Sequence, residues 1–197
     1  MSRDLLQTRE NILKAAIELL IGGQHKGVRM TDIAKAAGIS RQAVYLHFST
    51  RAELLIAATQ YVDQLNAMDE RRSASRAAQT GLERLDAYIE AWSAYIPKIY
   101  GMAKALMAMS ETDEEAAQAW SQRMQDMREG CEAAVKALQK DKMLAPAYTQ
   151  KQATDILWMM LSVRNWELLT AQCEWSESAY GKTMKRLARD VLLKPSQ

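Results

Sequence analysis

The stretch Thr31–Arg51, TDIAKAAGISRQAVYLHFSTR, restricts the fold more tightly than any other. Thr31 supplies an N-cap oxygen, and Ile33, Ala34 and Ala37 recur at helical spacing, so a short helix is predicted here. Gly38 falls where that helix must turn left-handed to stop, a conformation glycine adopts without steric penalty. Ile39 plugs the corner and Ser40 caps a second helix, Arg41 to His47. That helix gathers Ala43, Val44 and His47 on one side and leaves Arg41, Gln42, Tyr45 and Leu46 on the other. Seven residues do not make a stable helix alone. The apolar side must therefore dock on neighbours, which leaves the opposite side as a displayed surface.

A display of Arg, Gln and Tyr around the first turns of a docked helix suits insertion into a DNA major groove. Arg41 matches guanine edges and Gln42 adenine edges. Tyr45 offers its hydroxyl to a phosphate and Leu46 its methyls to thymine. His47 reaches toward the backbone; packing within the head is the alternative for Tyr45 and, about equally weighted, for His47. Ser40 doubles as cap and phosphate donor, and Thr31 is a further phosphate donor. Thr50 and Glu53 form a capping box that opens a long helix. The free amides of that helix start, with the charge of Arg51, form a seat for a phosphate.

Thr31, Ile33, Ala34, Ala37-Gly38-Ile39-Ser40, Val44-Tyr45, His47-Phe48, Arg51 and Leu54 resemble the signature of TetR-type (tetracycline-repressor-like) transcriptional regulators. The resemblance is dense over Thr8–Leu55, roughly a quarter of the chain. It departs at Arg51, where the family more often has Lys; either side chain holds a phosphate. Beyond that region the resemblance is one of length and helical layout. It implies a DNA-binding head, a body with an effector pocket, and dimerisation through the last two long helices.

Composition agrees with an all-α chain. Methionine (12) and alanine are abundant, phenylalanine occurs once, and no stretch alternates as a strand would. No apolar run reaches membrane-spanning length and the N-terminus lacks a signal-peptide core, so a cytoplasmic protein with no membrane partner is expected. Cys131 and Cys173 both fall in helical patterns and read as buried thiols. Residues 1–51 hold eight Lys/Arg and four acids, a balance of +4, so the rest carries −2 of the net +2. A basic front suits a nucleic-acid partner. Two histidines, His25 and His47, two distant cysteines and no Gly-rich phosphate loop offer no catalytic set. No enzyme, cofactor or metal site is expected.

In chain order, Ile12, Leu13, Ala16, Leu19 and Leu20 predict a first helix, Asp4 to Ile21, ended by Gly22-Gly23 and followed by a loop through Gly27. Arg3 and Arg9 near its start read as phosphate contacts or as solvated charges. Leu54, Leu55, Ala58, Val62 and Leu65 stripe a helix from Arg51 to about Arg72, and Asp69 to Gly81 reads as a linker. The next helix runs through Trp92 to Ile96, where Pro97 interrupts it, and a shorter one spans Lys98 to Met109. Thr112 and Glu115 predict a second capping box before the Ala116–Leu138 stripe. Its acids Asp113, Glu114 and Glu115 suit the helix dipole. Thr149 and Gln152 form a third box, opening one helix through Leu169 whose apolar residues cover more than one face. Tyr180, Met184, Leu187, Ala188 and Val191 stripe the last, Ser176 to Leu193.

The predicted architecture is about nine helices. Residues 1–50 form a three-helix DNA-binding head, and residues 51–197 a helical effector-binding and dimerisation body. Segments 151–173 and 176–193 would pair two chains as a homodimer on a palindromic operator. Trp92, Tyr95, Tyr100, Met102, Met107, Trp120, Met124, Met127 and Trp158 lie where the family keeps its pocket, and suit a small apolar or aromatic effector. The same residues at helical spacing also read as ordinary core. The function predicted is a repressor released from DNA by an effector; the alternative is a DNA-bound architectural or interaction protein without one.

Overall fold

Apolar stripes of helical period run through most of the chain, and the computed structural model is correspondingly all-α. It describes residues 3–22, 28–66 and 68–195. His25 and Gly27 lie outside the described residues, as does the side chain of Arg3. The helices are α1 (Arg3–Ile21), α2 (Met30–Ala36), α3 (Arg41–His47), α4 (Arg51–Leu65), α5 (Met68–Ala77), α6 (Gly81–Met109), α7 (Glu114–Lys140), α8 (Gln150–Met160), α9 (Val163–Glu167) and α10 (Glu177–Leu192). A π-helical turn, Leu168–Gln172, follows α9. Among the described residues no strand forms; Leu144 and Leu193 make an isolated antiparallel bridge. No described helix is long and apolar enough to cross a membrane.

The chain divides into two compact units. The first comprises Met1–Leu65 with Ile99–Met124, and the second Asn66–Lys98 with Gln125–Gln197. In the first unit Ile12, Leu13 and Ala16 of α1, Ile33 of α2, Val44 of α3 and Leu54 and Leu55 of α4 are buried. α1 packs on α2 and α4, and α2 on α3. Arg123 grips Asp63 with two bonds of 2.7 and 3.0 Å. In the second unit Leu85, Ile89, Tyr95, Cys131, Val135, Leu138, Leu157, Tyr180 and Ala188 form the core. The Tyr88 hydroxyl donates to the carbonyl of Met127 at 3.0 Å.

Several boundaries differ from those the sequence suggests. Asp69–Ala77 is helical rather than a linker, because DERRSASRA is rich in helix formers. The break comes at Gln79-Thr80, where Thr80 and Glu83 make a capping box. Pro97 does not interrupt α6. Proline removes one helical hydrogen bond, and the burial of Ile96 before it and of Ile99, Met102 and Leu106 after it offsets that loss. α7 is capped by Asp113 rather than Thr112: its carboxylate accepts from the Ala116 amide at 3.1 Å.

The helix that Thr149 and Gln152 open has both bonds of its box, 3.2 and 2.9 Å. It does not run on to Leu169. It ends at Met160, and Ser162 caps a new helix by accepting from Asn165 at 3.2 Å. Serine competes in this way with the helical ladder. The carbonyl of Leu161 at the break is taken by the buried indole N–H of Trp92, 2.8 Å away. Cys131 is buried as expected, whereas Cys173 is exposed, because the chain leaves the π-helical turn there.

Candidate nucleic-acid interface

The helix-turn-helix forms through local bonds. At the end of α2 the Ile39 amide donates to Ala34 O at 3.0 Å and the Gly38 amide to Lys35 O at 3.2 Å, with Gly38 at φ +70°. This Schellman closure needs a left-handed residue at the position where glycine stands. Ser40 then caps α3, its hydroxyl accepting from the Ala43 amide at 3.1 Å. The start of α2 differs from expectation. The helix begins at Met30, so Thr31 lies exposed in the first turn rather than at the cap, and the Asp32 carboxylate reaches back to the Arg29 amide at 3.3 Å.

α3 buries Val44 completely and exposes Arg41, Gln42, Tyr45 and Leu46, with Leu46 84% and Tyr45 40% exposed. Leu46 thus stands with Arg41, Gln42 and Tyr45 on the side of α3 that does not pack. Arg41 Nη2 donates to the Tyr45 hydroxyl at 3.3 Å, and its guanidinium carbon lies 5.4 Å from that ring. The two are thus held together on the outer face. His47 is half-buried on the docked side. Arg9 of α1 stacks on Phe48, 4.5 Å from the ring centroid.

Thr50 caps α4 through the Glu53 amide at 3.1 Å. The Glu53 carboxylate reaches back to the Ser49 amide at 2.8 Å and hydroxyl at 2.7 Å, with a further contribution from the Thr50 amide. Those Ser49 bonds hold the Glu53 carboxyl below the usual carboxylate range. Arg51 is the largest departure in the site. Its Nε donates to Val28 O, and its two Nη atoms span Asp113 at 3.0 and 2.7 Å. Glu115 lies 3.4 Å from Nη1 and accepts from the Ala52 amide at 3.2 Å.

Burial of the Arg51 guanidinium disfavours its charge, but the hydrogen bonds and charge of Asp113, and then of Glu115, outweigh that and hold it protonated. The Arg51 hydrogen bonds in turn push the Asp113 carboxyl below its ordinary value, against its partial burial and with help from the Ala116 amide. Arg29, Met30, Thr31, Arg41, Tyr45, Ser49, Thr50, Arg51, Asp113 and Glu115 line one open concavity of about 690 Å³. The sequence suggests only local roles for Asp113 and Glu115, the helix dipole for both and a capping box with Thr112 for Glu115. Their spacing from Arg51, about 60 residues, gave no sign of the pairing.

The candidate effector residues divide between the units: Met102, Trp120 and Met124 fall in the first, and Trp92, Tyr95, Met127 and Trp158 in the second. Trp92 and Tyr95 meet edge to face at 6.0 Å. Trp92, Tyr95, Met102 and Met127 are buried, and Trp120, Met124 and Trp158 half-buried. Among the described residues, no group of three or more His, Cys, Asp or Glu is placed to hold a metal ion.

A head that docks a short helix by its apolar side and exposes Arg, Gln, Tyr and Leu on the other has the layout of a helix-turn-helix. Residues 12–58 match the family model described as bacterial regulatory proteins, tetR family. Over this head region the chain is similar to the TetR-type regulators. Over 91 residues it is 34% identical to the HTH-type transcriptional activator FasR of Mycolicibacterium smegmatis, covering 46% of this chain and 41% of that one. The chain thus spans about two fifths of that relative.

Its fold resembles NalD of Pseudomonas aeruginosa, the secondary repressor of the MexAB-OprM multidrug efflux pump. That match has a TM-score of 0.72, 22% identity, and covers 99% of this chain and 100% of NalD. It also resembles a Saccharomonospora viridis protein crystallised with choline and described as a transcriptional regulator, with a TM-score of 0.72, 16% identity, and 95% and 98% coverage.

Proposed function

We propose that the chain binds double-stranded DNA as a homodimer on a palindromic operator and represses transcription until a small effector releases it. The observation that carries the DNA reading is the outer face of α3, where Arg41, Gln42, Tyr45 and Leu46 stand exposed around a buried Val44. Arg41 and Gln42 read bases, Leu46 meets a thymine methyl, and Tyr45, Thr31, Ser40, Thr50 and His47 serve the backbone. Residues 1–50 act as the reading head and 51–197 as the effector and dimerisation body, working in the cytoplasm.

One recognition helix spans only a few base pairs, and a two-fold dimer sets two of them about 34 Å apart on one face of the duplex. Met159 and Leu168, 53% and 45% exposed, support pairing through 151–173 together with 176–193. NalD is named a repressor and FasR an activator. The sign of regulation follows from where the operator lies relative to the promoter.

The effector part of the reading is supported by Ser93 Oγ, Trp158 Nε1 and Tyr180 OH, which are buried without a hydrogen-bond partner among the described residues. Natural proteins seldom leave such groups unmet. The choline complex of the Saccharomonospora viridis protein is a further precedent. Burial of Trp92, Tyr95, Met102 and Met127 favours the second reading, a DNA-bound protein without an effector.

The test is a titration of the chain against the DNA upstream of its own coding region, at two salt concentrations, with Arg41→Ala and Tyr45→Ala alongside. Tight, salt-sensitive binding weakened about tenfold or more by each change is expected. Wild-type binding unaffected by either substitution would sink the assignment of α3. Calorimetry with small aromatic and quaternary ammonium compounds separates the two readings of the body.

A further inference from the structure

The phosphate seat that the sequence offers at the start of α4 is filled from within the chain. A phosphate there would place one oxygen on a first-turn amide and others on the Arg51 guanidinium. Glu115 takes the Ala52 amide at 3.2 Å, and Asp113 takes both Nη atoms of Arg51 at 2.7 and 3.0 Å. Only 13% of the Arg51 side chain remains exposed. These carboxylates line the same concavity as Thr31, Arg41, Tyr45 and Thr50, the residues read as DNA contacts.

We propose that the acidic start of α7 stands in for a DNA phosphate, competes with it for Arg51 and the α4 N-terminus, and so restrains DNA binding. The proposal rests on the DNA reading of the head. The chain's own carboxylates are present at fixed high effective concentration, so an incoming phosphate must displace them. Removing their charge therefore strengthens binding rather than weakening it. An acid whose only role is to cap or to steady the fold would do the opposite.

The variants are Asp113→Asn, Glu115→Gln and their combination. Asparagine caps a helix as well as aspartate, so α7 keeps its start. Glu114→Gln is the control, since Glu114 lies in the same turn and is exposed. DNA binding is measured across a salt series, and folding by thermal melting. We expect the double variant to bind about tenfold tighter near 0.1 M salt, with the slope of log affinity against log salt steeper by about 0.9 per freed phosphate contact. Glu114→Gln should change neither. Unchanged or weaker binding by a folded variant overturns the proposal, as does an equal gain from Glu114→Gln. The single variants decide if the double one does not fold.

A second readout needs no DNA. In ¹⁵N-labelled protein the Arg51 Nε–H signal should move on adding inorganic phosphate to the double variant and stay fixed in the wild type; a fixed signal in both overturns the idea. If neither the wild type nor the double variant selects DNA from random sites while the variant responds to phosphate, the DNA reading fails and the internal anion seat stands.

Discussion

Gly81→Ala and Gly101→Ala, two substitutions in one helix, should change stability in opposite directions. Gly81 opens α6 against the backbone of α7. A methyl placed on it would lie 2.7 Å from Ala137 C, Ala137 O and Leu138 N, where real contacts stay beyond 3 Å. These are main-chain atoms inside a helix, so no side chain can swing aside. α6 must lift, and overpacking of this kind costs typically 1–3 kcal/mol. Lifting also stretches the 2.6 Å bond from the Gly81 amide to the Asp141 carboxylate, a charged bond in the range of about 1.5–3 kcal/mol.

A loss of about 3 kcal/mol is therefore expected for Gly81→Ala. At about 2–4 °C per kcal/mol for a chain of this size, that lowers Tm by roughly 6–12 °C. At Gly101 the added methyl would meet only the Ile21 side chain, at 3.5 and 3.8 Å, an ordinary contact. Relief of glycine's entropy in a helix interior then stabilises by about 0.5–1 kcal/mol. The assay is urea and thermal unfolding of both variants at one protein concentration, because dimerisation would make Tm concentration-dependent. A Gly81→Ala chain as stable as wild type, or two changes of the same sign, would refute the close-approach argument.

The Asp113 carboxyl, held below its ordinary value first by the Arg51 hydrogen bonds, contributes stability above the unfolded pKa of about 3.9 and loses it as pH falls through the depressed value. Asp113→Asn should flatten the acid limb of a Tm-against-pH curve below about pH 4, and an unchanged limb would contradict the pairing. Ellman titration of the native chain should find Cys173 reactive and Cys131 silent, since burial pushes the Cys131 thiol up to about 12; denaturant should expose both. Tyr180→Phe removes a buried hydroxyl that has no partner among the described residues, so it should leave stability unchanged or raise it by about 1 kcal/mol. A loss above that in urea unfolding would reveal a bond to that oxygen.

The head was legible because its information is local. Gly38 had to be left-handed, Ser40 had to cap, and a seven-residue helix with Val44 on one side had to expose Arg41, Gln42, Tyr45 and Leu46 on the other. Each inference spans four or five residues, the range over which backbone hydrogen bonds and helical period act. The all-α class followed in the same way from the apolar period, and the Thr149–Gln152 box from its own two side chains.

What failed in the reading was decided at longer range. Pro97 breaks helices by intrinsic propensity, yet burial on either side offsets that loss and α6 runs through it. The helix begun at Thr149 stops at Met160, where Ser162 caps a new start and Trp92, 69 residues away, covers the freed carbonyl. Arg51 looked like a free cation at a helix start, and Asp113 and Glu115 like acids suiting a dipole. Each description was locally sound. Only packing brought the groups within 3.4 Å, because ion pairing depends on distance in space and leaves no period in the sequence.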